Sequence, residues 1–254
     1  MTRVAEPWLR PAPAGGAAAR LFCLPYAGGS ASVFRHWTRR PVRGRGGRRL
    51  EVVAVRLPGH GSRTAEPAVD DARLLAGRLA AALDPYLDRP YGIYGHSMGG
   101  LLGLALAHEI ARTPGRRPPA ALFVGASPPP ASVRPDAAWH GSDAELVQWL
   151  REAGGTPASV LAAPVLLELL LPALRADLAL VAGYRSEPGE RLAVAVHGFA
   201  GADDALVPAA AMRPWAAETD APFALCEVPG GHFFLADGAG TSAVLGAVAA
   251  QLLT

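Results

Sequence analysis

A serine flanked by glycines is the residue of this sequence best suited to nucleophilic chemistry. Residues 91–100 read Tyr-Gly-Ile-Tyr-Gly-His-Ser-Met-Gly-Gly, which places Ser97 at the centre of a Gly-x-Ser-x-Gly motif. A short apolar run precedes the motif and a helix-like run, 101–112, follows it. This order predicts a tight strand–turn–helix that exposes a reactive hydroxyl. The motif is short, so a glycine-rich turn with an incidental serine stays open on this evidence alone.

A serine hydroxyl becomes a useful nucleophile only when a base removes its proton and an acid orients that base. His232 follows the last predicted strand, 223–228, and two glycines precede it, so its ring can project over the end of a sheet. We predict that His232 is the base. The remaining histidines after Ser97 lie on a predicted helix, in a predicted helical insertion or ahead of the candidate acid: His108, His140 and His197.

The candidate acid lies in the segment Gly-Ala-Asp-Asp-Ala-Leu-Val-Pro at 201–208. Neighbouring aspartates point in different directions, so only one can face the histidine. We predict that Asp204 is the acid, with Asp203 as the alternative. Asp203 would then form a turn by bonding to its own backbone.

An anionic tetrahedral intermediate requires two backbone N–H donors. The first predicted donor is Met98, directly after the serine. The second is predicted in the loop 25–29 after the first strand, at Ala27, with Tyr26 as the competing position.

Apolar runs alternate with helix-like stretches along the chain, which predicts an α/β fold with a mostly parallel sheet and helices on both faces. The length of 254 residues fits one domain, 1–254. Residues 1–19 are expected to form a loose arm. The predicted helices lie at 71–87 and 101–112, and the predicted strands lie at 20–24, 50–57, 91–94, 120–125, 192–197 and 223–228.

A helical insertion at about 131–184 interrupts this alternation, with predicted helices at 143–152, 159–171 and 173–184. Such an insertion would lie above the carboxyl ends of the strands, so we interpret it as a lid. Ordinary crossover helices are the alternative, although the segment is long for a single crossover.

Composition restricts the partners and the compartment. A net charge of +2 is too small to indicate a nucleic-acid partner, and no apolar run is long enough to span a membrane. Two cysteines do not make a disulfide framework, and the first residues lack a sustained apolar run, so we expect a cytoplasmic protein, with a monomer as the default. No metal or cofactor motif is evident. The stretch 39–49 holds six arginines and is either a solvated flexible loop or a landing surface for an acidic partner.

Five segments together resemble a known family. They read Leu-Pro-Tyr-Ala-Gly-Gly-Ser-Ala at 24–31, Leu-Pro-Gly-His-Gly-Ser-Arg at 57–63, Gly-His-Ser-Met-Gly-Gly at 95–100, Leu-Pro-Ala-Leu-Arg-Ala-Asp at 171–177 and Pro-Gly-Gly-His-Phe-Phe-Leu at 229–235. From about residue 21 onward the chain resembles the stand-alone type II thioesterases of polyketide synthases and non-ribosomal peptide synthetases, which have the α/β-hydrolase fold.

The resemblance implies hydrolysis of acyl groups from the phosphopantetheine thiol of acyl carrier or peptidyl carrier proteins, with Ser97, Asp204 and His232 as the triad. Three features depart from the family pattern. His60 replaces a common arginine, Ala205 replaces a common proline, and the arginine-rich stretch 39–49 is unusual. A small-molecule carboxylesterase or lipase with the same triad is the alternative function. A catalytically idle binding subunit is a third possibility, which the presence of all three residues argues against.

Overall fold

The computed structural model describes residues 8–133, 140–236 and 238–254. Its centre is one eight-stranded sheet in the order β1-β4-β2-β5-β6-β7-β8, with β3 also paired to β4. The six strands from β4 to β8 in this order are parallel, whereas β1 and β3 run antiparallel to β4. The strands are β1 Leu9–Arg10, β2 Ala19–Leu24, β3 Val42–Arg43, β4 Arg49–Val55, β5 Tyr91–His96, β6 Ala121–Gly125, β7 Ala195–Gly201 and β8 Phe223–Val228.

Helices cover both faces of the sheet, as the alternation of apolar runs predicted. One buried cluster joins the sheet to helices α2 and α3, and includes Leu79 and Leu102. A second cluster on the other face includes Trp37 of α1 and Val248 of α8. The fold is therefore the expected α/β class. The helices are α1 Arg35–Arg39, α2 Ala72–Leu83, α3 Met98–Arg112, α4 Asp143–Ala153, α5 Ala158–Leu161, α6 Pro164–Gly183, α7 Ala209–Met212 and α8 Gly238–Leu252.

The predicted strand at 192–197 is displaced in the structure, where β7 is Ala195–Gly201. Leu192 forms only an isolated bridge to Thr219. The predicted strand ended too early, at His197, because glycines follow at 198 and 201 and glycine usually weakens a strand. Here a Cβ at Gly201 would lie 2.5 Å from the Gly231 carbonyl oxygen, so the close approach of the chain requires glycine inside the strand.

Two segments predicted to be loose are held by the sheet edge. Within the described part of the arm 1–19, Leu9 and Arg10 pair with β4, and the Ala14 N–H donates to the Glu51 carboxylate over 2.6 Å. The arginine-rich stretch 39–49 also contributes β3 to the same edge. The stretch is therefore attached to the sheet at β3, and all six of its arginines are exposed, as the solvated-loop interpretation expected.

The insertion is helical, as predicted, although residues 134–139 within it lie outside the described residues. Ser142 and Glu145 form the expected capping box at the start of α4. The two helices predicted on either side of Pro172 are one continuous helix, α6. Proline removes one backbone hydrogen bond, but burial of Leu171 and Leu174 in a cluster with α4 offsets that loss. No helix among the described residues is long and apolar enough to cross a membrane.

Candidate active site

Ser97 occupies the sharp turn between β5 and α3, with φ of 52° and ψ of −118°. A residue other than glycine rarely adopts a positive φ, so the turn is strained. The two glycines of the motif are sterically required. A Cβ at Gly95 would lie 1.9 Å from the Gly99 carbonyl oxygen, and a Cβ at Gly99 would lie 2.4 Å from the Leu24 carbonyl oxygen.

Asp204 and His232 lie close together at the carboxyl ends of β7 and β8. The loop after β7 carries Asp204, the loop after β8 carries His232, and the histidine Nδ1 lies 2.9 Å from the aspartate Oδ2. The other carboxylate oxygen, Oδ1, accepts the N–H groups of Leu206 and Val207, each over 2.9 Å. Burial alone would raise the pKa of Asp204, but the hydrogen bonds from His232 and these amides lower it. Asp204 is thus held as a carboxylate that orients the ring.

Asp203, the neighbouring aspartate, does not bond to His232. Asp203 is exposed, and the turn-forming carboxylate is Asp204 itself, through its bonds to Leu206 and Val207. The expectation that Asp203 would form this turn is wrong, because the buried side of the loop carries Asp204.

His96, directly before the serine, is a site residue that the sequence analysis missed. Its Nε2 lies 2.7 Å from the His232 carbonyl oxygen, and its Nδ1 lies 2.9 Å from the Tyr94 hydroxyl. A carbonyl can only accept, so Nε2 carries the proton and Nδ1 accepts from the tyrosine. Burial and the neighbouring His232 lower the pKa of His96 to about 3, which keeps the ring neutral. The sequence signal that could have indicated His96 is its position directly before Ser97, as the first variable residue of the Gly-x-Ser-x-Gly motif.

The His96 contact brings the loop of His232 beside the turn of Ser97. The rings of His96 and His232 have centroids 5.7 Å apart. No hydrogen bond between Ser97 Oγ and His232 is formed in the described part of the chain. Such bonds are often long in unliganded enzymes and shorten when substrate binds. The structure therefore joins Asp204 to His232 and brings the loop of His232 to the turn of Ser97.

The loop 25–29, which we call the oxyanion loop, lies against the first turn of α3. The Leu24 and Pro25 carbonyl oxygens touch the position where Gly99 would carry a Cβ. The Gly28 N–H donates to Asp177 Oδ2 over 2.7 Å, so it cannot serve as an oxyanion donor. The N–H groups of Ala27 and Met98 have no acceptor within the described residues. Both therefore remain available for an oxyanion, as does Tyr26, the competing position.

The helical insertion packs directly onto this loop. Ala27 contacts the cluster formed by α4 and α6. A mostly apolar cavity of about 250 Å³ adjoins Gly28 and His60, and its walls include Leu166, Leu169 and Leu170 of α6. Leu166 and Leu169 are 46% and 53% exposed, an unusual position for large apolar side chains without a partner. No cluster of three potential metal ligands occurs among the residues that the structure describes.

Comparison with known proteins identifies the family of the chain. A family model described as a thioesterase domain matches residues 19–252. The gramicidin S biosynthesis protein GrsT of Aneurinibacillus migulanus is 33% identical over 217 residues, which cover 85% of this chain and 82% of that protein.

Solved thioesterase structures superpose over nearly the whole chain. RedJ, a thioesterase from the prodiginine pathway of Streptomyces coelicolor, gives a TM-score of 0.84 at 32% identity and covers 96% of this chain and 97% of its own. BorB, the type II thioesterase of the borrelidin biosynthetic cluster, gives a TM-score of 0.84 at 35% identity, with coverage of 98% and 99%. The chain therefore belongs to the thioesterase family, as a hydrolase of thioesters that shares its fold with type II thioesterases of biosynthetic pathways.

Proposed function

We propose that this thioesterase removes acyl groups from the phosphopantetheine arm of acyl carrier or peptidyl carrier proteins, with Ser97 as nucleophile, His232 as base and Asp204 as the orienting acid. The observation that carries the proposal is the 2.9 Å bond between Asp204 and His232, whose loop is tied by His96 to the strained turn of Ser97. Similarity to BorB, a type II thioesterase from a biosynthetic cluster, favours a carrier-bound substrate.

The reaction would proceed in two half-reactions. His232 Nε2 takes the proton of Ser97, whose Oγ attacks the thioester carbonyl, and the resulting oxyanion is bound by the N–H groups of Met98 and Ala27. The C–S bond then breaks, His232 returns its proton to the sulfur, and the pantetheine thiol leaves with the imidazole neutral again. A water molecule, deprotonated by His232, attacks the acyl-serine in the same way and releases the carboxylic acid. Asp204 holds the imidazole tautomer throughout.

The apolar cavity beside the oxyanion loop fits an aliphatic acyl chain or the hydrocarbon part of the arm. Its α6 residues include Leu166 and Leu169, which are partly exposed. Burial of apolar surface is worth roughly 25 cal/mol per Å², so a saturated chain would bind there with useful affinity. In this proposal α4, α5 and α6 act as the lid that limits access of bulk water.

The arginine-rich stretch 39–49 is the surface we propose for the carrier protein. Its arginines form no ion pair with an Asp or Glu side chain within the described residues. Arg40 bonds to the Ser242 hydroxyl and Arg43 to the Gly47 carbonyl, whereas Arg48 bonds to the main-chain oxygen of Thr254, the last residue. Carrier domains are usually acidic, so charge complementarity would speed their encounter with this surface.

The central experiment compares wild type with Ser97→Ala on three substrates: an acylated carrier protein, an acyl-pantetheine thioester and an oxygen ester of the same acyl group. We expect the wild type to prefer the two thioesters, and Ser97→Ala to lose release from all three while its thermal melt stays unchanged. A fluorophosphonate probe should label Ser97 in the wild type only. Wild-type rates from Ser97→Ala would refute the nucleophile, and preference for the oxygen ester would favour the carboxylesterase alternative.

The carrier surface is tested by replacing Arg39, Arg43 and Arg45 with glutamine. The matched control replaces three exposed arginines elsewhere, Arg78, Arg117 and Arg213, and changes the net charge equally. We expect only the first variant to raise KM for the acylated carrier, by about tenfold, because long-range attraction is lost. KM for the free acyl-pantetheine should stay unchanged in both variants. Equal effects on both substrates would contradict a docking role.

A further inference from the structure

We propose that His60 and Asp177 are positioning residues that hold the oxyanion loop in its working conformation, and that they do so only while His60 carries a proton on each ring nitrogen. The inference rests on the proposed function, because it assigns a task to residues behind the oxyanion donor. It also gives the enzyme an alkaline limit to activity that the triad alone would not impose.

A single carboxylate oxygen connects the lid helix to two loops. Asp177 Oδ2, on α6, accepts the Gly28 N–H over 2.7 Å and lies 2.8 Å from His60 Nε2. Both side chains are buried, with Asp177 only 2% and His60 only 6% exposed. A buried charge without a partner is costly, so Asp177 constrains both donors strongly.

The hydrogen-bond pattern fixes the protonation state of His60. Its Nε2 faces a carboxylate oxygen of Asp177 and its Nδ1 lies 2.8 Å from the Pro58 carbonyl oxygen. Both partners accept hydrogen bonds, so each nitrogen must carry a proton, and the ring is an imidazolium ion. In the neutral ring, one nitrogen lone pair would face an oxygen lone pair in a buried site. Burial lowers the pKa of His60, but the charge of Asp177 and the two hydrogen bonds outweigh burial and raise it.

The anchored residue is adjacent to the proposed oxyanion donor. Gly28 directly follows Ala27 and has φ of +72°. Because the Gly28 N–H belongs to the peptide that joins the two residues, its bond to Asp177 also restricts the orientation of Ala27. A Cβ at Gly28 would lie 3.3 Å from Leu174 Cδ1 of α6, which shows how closely the loop packs on the helix. A displacement of about 1 Å in a catalytic group can reduce turnover by about two orders of magnitude.

Other charged groups lie near His60. A cavity of about 660 Å³ borders His60, and four arginines from the amino-terminal segment, α1 and the end of β4 also line it: Arg10, Arg35, Arg39 and Arg56. Asp177, on α6, is the acidic group that bonds to the ring. The arginines stay charged over the whole accessible pH range, so a change of this network with pH comes from His60 itself.

The direction of the pH effect follows from these states. At higher pH His60 loses its proton, its bond to Asp177 or to Pro58 is broken, and the oxyanion loop is released. The kcat profile should therefore have an alkaline limb that is set by His60.

The experiment measures kcat and KM for a soluble acyl-pantetheine thioester between about pH 6 and about pH 10, after subtraction of the uncatalysed rate. His60→Arg keeps a positive charge at all these pH values, so we expect its alkaline limb to move upward or disappear. Asp177→Asn keeps an acceptor for Gly28 but loses the charge, and should lower kcat about 10- to 100-fold with KM nearly unchanged, less than removal of a donor itself. The matched control, Asp70→Asn at an exposed position, should behave as wild type.

Nitrogen-detected NMR of the wild-type imidazoles covers the case in which a variant fails to fold. We expect both His60 nitrogens to be protonated at neutral pH and to titrate at the pH of the alkaline limb. A neutral His60 at pH about 7, or an Asp177→Asn variant that changes KM alone, would overturn the proposal. Failure of the proposed function is a separate result, because it would appear as retained activity in Ser97→Ala.

Discussion

Replacing Asp204 with asparagine would change one atom of the side chain and test how the histidine is oriented. In the structure Asp204 Oδ2 accepts from His232 Nδ1, and Oδ1 accepts the amides of Leu206 and Val207. Asparagine has one oxygen and one NH₂ group, so it cannot satisfy all three donors. Its orientation therefore decides the outcome.

The structure indicates which orientation is preferred. If the NH₂ group faced the two amides, two backbone hydrogen bonds would be lost at a cost of about 1–3 kcal/mol each. If it faces His232, the ring can adapt by moving its proton from Nδ1 to Nε2. The second arrangement is less costly, but it places a proton on the nitrogen that must accept one from Ser97. The corresponding substitution in serine proteases lowers kcat about 10⁴-fold, which corresponds to about 5.5 kcal/mol in the activation barrier.

The assay is steady-state hydrolysis of an acyl-pantetheine thioester by wild type, Asp204→Asn and Asp203→Asn. The last variant is the matched control, because it makes the same charge change one residue away at an exposed position. We expect kcat to fall by about 10⁴ in Asp204→Asn and by less than about twofold in Asp203→Asn. A value of kcat for Asp204→Asn above about a tenth of wild type, or an equal loss in Asp203→Asn, would refute this account of the base.

Further predictions concern the elements that position the site. Gly95→Ala should destabilise the protein by about 3 kcal/mol or more in urea unfolding, because the added Cβ would overlap the Gly99 carbonyl. In the control Gly246→Ala, the added Cβ meets nothing within 4 Å, so this variant should be neutral or slightly more stable. Arg20→Met should cost about 3–5 kcal/mol, since it leaves the buried Glu51 carboxylate without its 2.7 Å partner; an unchanged urea midpoint would contradict this. Because folding lowers the pKa of Asp204, this carboxylate should stabilise the folded protein fully above the ordinary aspartate pKa range. That contribution to the free energy of unfolding is lost as pH falls through the pKa of Asp204 in the folded protein, and Asp204→Asn should reduce this acid dependence.

The sequence predicted the fold well where local composition and tertiary position agree. The apolar runs at 20–24 and 50–57 overlap β2 and β4, which are almost fully buried because helices cover both faces of the sheet there. The run at 223–228 matches the edge strand β8, although three of its six residues are exposed. Predictions failed where a distant contact overrides local preference. Glycines inside β7 accommodate a neighbouring backbone, and burial keeps α6 helical through Pro172.

In the candidate site too, the residues with chemical roles could be predicted from the sequence, whereas the residues that hold them in place could not. Chemistry restricts nucleophile, acid and base to a few residue types in a fixed order, so sequence reasoning could select Ser97, Asp204 and His232, whose roles remain predictions. The groups that hold these residues have no such restriction. Asp177 bonds to Gly28, 149 residues away, and to His60, 117 residues away, and no local pattern marks either pair. Because the same Asp177 oxygen accepts from both, a change in the protonation of His60 reaches the oxyanion loop through one atom, which makes this contact testable by pH alone.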